Sequence, residues 1–326
     1  MRDIRKDVKL RDFAPVYLIF GEEAYIRKNY RNQLVKALTA PGDSLNYSVF
    51  SGSETDPSEV ISLAMTMPFM AEKRVILVKD SNFFKKTADD IADYLENPSP
   101  DTVLIFDESA VDKKTRTYKA AKKAGFDTEA LSLKGKKLEE WIAASFKRNG
   151  KLIREETVKL LVDRVGGDLS VLDSEIKKLS AYASDRDSVT SDDVLLMVPR
   201  SPSYNVYQMI EAIGNKKVNL AVGIYYDMMV EKQNAYGVFS LLCSHFRRML
   251  TVSDMKEQGA DLQEISAALG LADWQVNKYL TQSRRFTRQK MIKAIDECVR
   301  APREIFQGKI LEDAAMELLI IGIASA

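Results

Sequence analysis

The chain has 326 residues, 45% hydrophobic and 29% charged, the balance of a globular protein long enough for two or three domains. Its 48 Lys and Arg against 47 Asp and Glu leave a net charge of +1, which argues against a free-standing protein that grips nucleic acid by bulk electrostatics and leaves room only for a local basic face. Cys243 and Cys298 are the only cysteines and exclude a disulfide framework; with no apolar signal core in MRDIRKDVKL and no membrane-length apolar run, a cytoplasmic protein is expected.

The first predicted strand, Val16–Phe20, runs into Gly21 and then a segment with helical spacing at Tyr25, Leu34 and Leu38. Strand, glycine turn, helix is how a phosphate-binding loop begins. That loop needs further glycines and then Gly-Lys-Ser/Thr, so that N–H groups, a lysine and a hydroxyl surround phosphate and magnesium. Here Glu22 and Glu23 follow Gly21, two negative charges where phosphates would sit. Next, DPSEVISLAMTMP (56–68) predicts a helix with Asp56 as N-cap, Pro57 in the first position and Glu59 completing a capping box. Val60, Leu63, Ala64 and Met67 form its apolar stripe, and Pro68 is expected to stop it. In TMPFMAEKR (66–74) Phe69 and Met70 then occupy a corner, where they either fold inward or project as an anchor for a partner. RVILVK (74–79) and TVLIFD (102–107) read as further strands of a parallel sheet covered on both faces, hence an α/β domain. Asp107 and Glu108 end the last strand where P-loop ATPases place magnesium and water ligands. Acidic residues also commonly end strands at a surface. With no Gly-Lys-Ser/Thr in the chain, the pair reads as a remnant or a coincidence.

Beyond Leu138 strand signals largely vanish. Helices are predicted at Leu138–Arg148, Glu155–Val165 and Leu169–Tyr182, the last capped by Asp168 after Gly166-Gly167, and a short one opens at Thr190-Ser191-Asp192-Asp193. PRSPSY (199–204) marks a boundary. Seven helices are predicted after it: Asn205–Gly214, Val218–Tyr236, Phe239–Gln258, Leu262–Leu269, Asp273–Arg284, Thr287–Ala301 and Ile310–Ile323. His245, the single histidine, cannot build a usual zinc site with two separated cysteines and reads as an ordinary helix residue. Residues 264–280, helix, Gly270 turn, helix, fit either a helix-turn-helix offering Gln275, Asn277 and Lys278 to a major groove or plain all-α packing; Trp274 would be unusual on a reading helix.

In order along the chain, VYLIFGEEAYIRK, MPFMAEKRVILVKD, VLIFDE, VGGDLSVLDSEIKKLSAY, YNVYQMIEAIGNKK, FRRML and ISAALGLADWQVNKYLTQSRRF together resemble the delta subunit of the bacterial DNA polymerase III clamp loader. The resemblance implies an α/β plus all-α fold in three parts. An AAA+-like parallel-sheet domain would span 1–140, a small helical lid 141–203 and a C-terminal helical collar 204–326. It implies a non-functional nucleotide site at Gly21, Glu22, Glu23, Asp107 and Glu108, with ATP bound by neighbouring loader subunits instead. The apolar contact with the sliding clamp falls on Phe69 and Met70, with Met67 and Pro68 shaping the approach; Met70 stands where the family commonly has an aromatic. The implied partners are the sliding clamp (the beta subunit), gamma/tau and delta-prime type subunits joined through the collar into a five-membered ring, and primer–template DNA inside the loader. Lys113, Lys114 and Arg116 are either contributors to DNA contact or a solvated charged face. No membrane, metal or cofactor is implied, and no catalysis by this chain, although it would serve a DNA-directed DNA polymerase, a nucleotidyltransferase. Two other functions stay open: a DNA-binding regulator using 264–280, and an active AAA+ ATPase switch.

Overall fold

The apolar runs form the middle of a sheet whose two faces are both covered. In the computed structural model, which describes residues 4–86 and 88–325, the α/β part contains in order α1 (Ile4–Leu10), β1 (Val16–Phe20), α2 (Ala24–Leu38), β2 (Tyr47–Ser51), α3 (Pro57–Ala64), β3 (Arg74–Lys79), α4 (Asp89–Glu96), β4 (Thr102–Glu108), α5 (Arg116–Ala124) and β5 (Phe126–Glu129). The outermost residues of the expected first and last domains, 1–3 and 326, lie outside the described residues. The five strands are parallel in the order β2-β3-β4-β1-β5. Val16, Leu18, Ile76, Val78, Leu104 and Phe106 pack on one side with Val60 of α3, Ile91 of α4 and Tyr118 of α5. Tyr17, Ile19, Val75, Leu77, Val103 and Ile105 pack on the other with Ile4 of α1 and Leu34 of α2. Alternate side chains therefore enter different cores, and both sets must be apolar. This is the expected parallel α/β class, and it places β1 and β4 side by side.

Helix α3 is shorter than its apolar stripe. It ends at Ala64, so Met67 lies beyond it and is exposed rather than part of a buried stripe. Proline disfavours the helical conformation of the residue before it, and three side-chain donors take the carbonyls left over at the helix end. Thr102 Oγ donates to Ala64 O at 2.8 Å, while Arg74 donates to Thr66 O and Met67 O at 3.1 and 3.0 Å. At the other end Asp56 accepts from the Ser58 N–H at 2.8 Å, and no reciprocal bond from Glu59 completes a capping box.

The chain divides into two compact units, Met1–Ser132 and Leu133–Ala326. The second holds α6 (Gly135–Arg148), β6 (Leu152–Ile153), α7 (Glu155–Val165), α8 (Leu169–Tyr182), β7 (Ser188–Val189), α9 (Ser191–Met197), α10 (Pro202–Gly214), α11 (Val218–Val230), α12 (Ala235–Glu257), α13 (Leu262–Leu269), α14 (Asp273–Ser283), α15 (Arg288–Phe306) and α16 (Glu312–Ser325). Its main core joins α10, α11, α12, α15 and α16 around Tyr225, Phe239, Phe246, Met316 and Ile320. Asp168 caps α8, and Thr190 with Asp193 forms a capping box on α9. The helix predicted over 218–236 stops at Val230, and its last two residues open α12, which starts at Ala235 rather than at Phe239. Lys232 takes a left-handed φ of +63°, Gln233 N–H returns to Met228 O, and Asn234 caps α12. The predicted stop at Ala301 is overrun: α15 continues through Pro302 to Phe306. Among the described residues no helix is long and apolar enough to cross a membrane.

Candidate functional site

The strand–glycine–helix frame is closed by its own residues. Gly21 has φ +125°, and a Cβ there would stand 2.4 Å from Ala130 O, so the turn tolerates only glycine. Glu23 caps α2 by accepting from Tyr25 N–H at 3.2 Å, and Glu22 accepts from Ser132 N–H at 3.4 Å. The positive end of the helix dipole, where a phosphate would bind, already faces a carboxylate. Asp107 is 2% exposed and is gripped by Arg27 and by Arg31, whose Nη1 lies 2.6 Å from Oδ2. The two arginines stand one turn apart on α2, so they reach the same point at the end of β4.

Beside it Glu108 is fully buried; Ser81 N–H and Oγ–H both donate to its Oε1, while Oε2 has no partner. Burial raises its pKa above the ordinary glutamate value, against the lowering effect of the Ser81 bonds. The unfolded chain loses this proton in the ordinary range and the folded chain holds it to higher pH. The stability it contributes is thus complete below the unfolded pKa and is lost as pH rises through the folded one. In urea titrations from about pH 4 to about pH 8, Glu108→Gln is expected to gain stability relative to the parent as pH rises. Parallel curves for the two proteins would show that Glu108 is ionised in the fold. Among the described residues no group of three or more His, Cys, Asp or Glu could hold a metal ion.

The corner after α3 is built differently. Met67, Phe69 and Met70 are 77%, 61% and 92% exposed, Met65 is exposed beside them, and Pro68 is half-buried. The inward-folded alternative is excluded by these exposures. Contiguous exposed apolar side chains of this size mark interaction surfaces more often than isolated ones do. The main chain beneath them is nonetheless held. Asn46, 4% exposed, accepts from Phe69 N–H at 2.6 Å and donates from Nδ2 to Phe69 O at 2.9 Å. Arg74, 6% exposed, spreads its guanidinium over the carbonyls of Leu45, Thr66 and Met67. Asp43 in turn accepts from Asn46 N–H at 2.9 Å and from its Nδ2, bonds that hold the Asp43 carboxyl below the usual carboxylate range. Met70 takes a left-handed φ of +52°, which costs a non-glycine residue roughly 1–2 kcal/mol. Asn46 was not legible as a site residue, since it lies 23 positions from Phe69 and carries no motif; Arg74 ends the stretch TMPFMAEKR itself, but nothing in that stretch marks it as a support. The one signal available was an arginine opening an otherwise apolar strand.

The remaining candidates are absorbed by packing. His245 is buried on α12 against Tyr207 and Tyr279, its Nε2 lies 2.7 Å from Gln282 Oε1, and burial pushes its pKa down to about 4. In the helix-turn-helix-like segment, Gly270 makes the left-handed turn between α13 and α14. Gln275 then folds back to accept from Ala272 N–H at 2.9 Å, and Lys278 pairs with Asp163 at 2.8 Å over the rings of Tyr207 and Trp274. Trp274 Nε1–H donates to Glu139 at 2.7 Å. Of the three groove-reading candidates, only Asn277 is left exposed. Lys113 pairs with Glu129, and Arg116 with Asp93 and Glu96, all at the surface; Lys114 is exposed.

Two family models match the chain: "DNA polymerase III, delta subunit" over residues 17–133, and "DNA polymerase III delta subunit, C-terminal domain" over residues 203–323. DNA polymerase III subunit delta of Bacillus subtilis is 28% identical, over 98% of this chain and 95% of that protein. The probable DNA polymerase III subunit delta of Aquifex aeolicus is 22% identical, over 78% of this chain and 75% of that protein. Among solved structures, the Bacillus subtilis DNA clamp loader delta protein superposes with a TM-score of 0.75 at 27% identity, covering 99% of both chains. Sequence and fold agree over essentially the whole length, and the chain belongs to the family of DNA polymerase III delta subunits.

Proposed function

We propose that this chain is the clamp-loader subunit that holds the sliding clamp during DNA replication and favours its open ring. The observation that carries the reading is the corner at Met67–Met70, apolar and exposed, yet tied down through its main chain. Rigid apolar anchors entering a partner's pocket are the usual source of binding energy at an interface. The mechanism is differential binding: a subunit that fits one clamp interface better open than closed shifts the ring by that difference and no more. Fully burying Phe69 and Met70 supplies about 3–6 kcal/mol, and turning a 1:99 equilibrium into 99:1 takes about 5.5 kcal/mol. Only the part of that burial that the open interface gains over the closed one counts toward opening, so the figure is a ceiling on the corner's bias, and a complete switch uses contacts from the rest of the loader as well.

The same reading gives the helical second unit two tasks. Its helices from about residue 204 onward form the collar that joins gamma/tau and delta-prime type subunits, and the helices before them form the lid. Primer–template DNA passes the assembled loader, and this chain makes and breaks no bond in it. The nucleotide frame serves as a platform, since Glu22, Glu23 and Asp107 are committed to the protein's own hydrogen bonds and ion pairs. A regulator reading base edges through α14 is disfavoured because Gln275 and Lys278 are engaged internally.

The test is capture of the purified sliding clamp from the same organism by the purified chain. Complex formation is expected on size-exclusion chromatography without nucleotide, with no change on adding ATP and magnesium. No complex, or one that requires ATP, would remove this reading and favour the ATPase switch.

A further inference from the structure

We infer that Asn46 is the positioning residue of the clamp-facing corner, acting with Asp43 and Arg74 to hold Phe69 and Met70 in their docking geometry before the partner arrives. The inference rests on the reading of the corner as the clamp contact, and it names a part of the machinery distant in sequence. Residues 67–73 belong to no helix or strand, and among the described residues none of their main-chain groups bonds to another main-chain group. What fixes them is side-chain chemistry. Asn46 closes both the N–H and the C=O of Phe69 with one carboxamide, in the way a neighbouring strand would. The carbonyl it grips is the one that leads into Met70, the residue held at positive φ. Without that grip a methionine on an open loop relaxes to negative φ, and its side chain leaves the direction it now takes.

Burial makes the arrangement rigid: Asn46 and Arg74 are inside the fold while the side chains they position are outside it. Asp43 orients the Asn46 amide through Nδ2, at 3.0 Å, which decides which end of the carboxamide faces Phe69 N–H. A loop ordered beforehand does not lose its conformational freedom on docking, so preorganisation appears directly as affinity.

The experiment is a double-mutant cycle on clamp affinity, with thermal melting and amide exchange at Phe69 measured in parallel. Asn46→Ala is expected to weaken clamp binding about ten-fold and to speed exchange of the Phe69 amide. In a Phe69→Ala background the same substitution should cost much less, because the positioned side chain is already gone. Unchanged affinity in folded Asn46→Ala, or an equal loss in both backgrounds, overturns the role. If Asn46→Ala does not fold, Asp43→Ala, which leaves Asn46 in place but unoriented, should give a smaller loss of the same kind; no loss there overturns it equally. Should Phe69→Ala itself leave clamp binding intact, the clamp reading fails and this role fails with it.

Discussion

Truncating Phe69 and Met70 together to alanine is expected to remove most of the clamp affinity while the protein melts close to the parent temperature. Each large apolar side chain contributes about 1.5–3 kcal/mol when fully buried. The pair accounts for roughly 3–6 kcal/mol, on the order of a hundred-fold or more in affinity. Non-additivity at a hot spot brings the measured figure below the sum when the two share one pocket. The stability side of the expectation comes from exposure. Both side chains are mostly in solvent in the free chain, and surface truncations away from special features usually change stability by no more than about 0.5 kcal/mol. A core pair would behave oppositely, losing about 2–5 kcal/mol for each large-to-small change. Melting by circular dichroism beside clamp titration separates the outcomes. A large fall in melting temperature, with affinity kept in the folded fraction, would show that the corner supports the fold and does not dock.

How much of this was readable beforehand follows from where the information resides. The central strands were legible because a doubly covered sheet writes continuous apolar runs, VYLIF, RVILVK and TVLIFD. The edge strands YSVFS and FDTE were not, since each is short, half solvated and no more apolar than a loop. Local capping chemistry was legible at Asp168 and Thr190 because cap and target lie within three residues. Glycine and lysine turns differ in this respect: Lys232 breaks α11 by adopting a left-handed conformation that its residue type does not advertise. In the site, Phe69 and Met70 stood out as an apolar pair beside charge, but their supports came from the loop before β2 and the start of β3. Contacts across such separations are set by strand order, which periodicity does not encode. The same holds for Asp107: its position at a strand end was evident, and its capture by Arg27 and Arg31 required knowing that α2 runs beside β4.

That captured carboxylate gives the second large effect. Asp107→Ala is expected to destabilise the α/β unit by about 3–5 kcal/mol, the cost of leaving a buried charge without its partner. The Asp107 side chain is 3% exposed, and those of Arg27 and Arg31 only 11% and 19%. Removing it leaves two guanidinium groups facing each other across a space water enters poorly, and Arg27 Nε is already without a partner. The whole cluster is dispensable in a way that its single member is not. Replacing a buried ionic triad by apolar residues of similar volume is often neutral or stabilising, so Arg27→Met/Arg31→Met/Asp107→Leu should recover most of the loss. Amide exchange of β1 and β4 in the 326-residue chain reads this unit apart from the helical one. If Asp107→Ala protects those amides as well as the parent does, the arginines reach solvent freely and the ion pairs hold nothing together. The functional readout runs opposite to that of the corner. Asp107→Ala should lower stability and leave the clamp affinity of the folded fraction unchanged, whereas Phe69→Ala/Met70→Ala should lower affinity and leave stability unchanged. Asp107 is buried and Phe69 and Met70 face solvent, so those two variants separate support of the fold from contact with a partner within one unit.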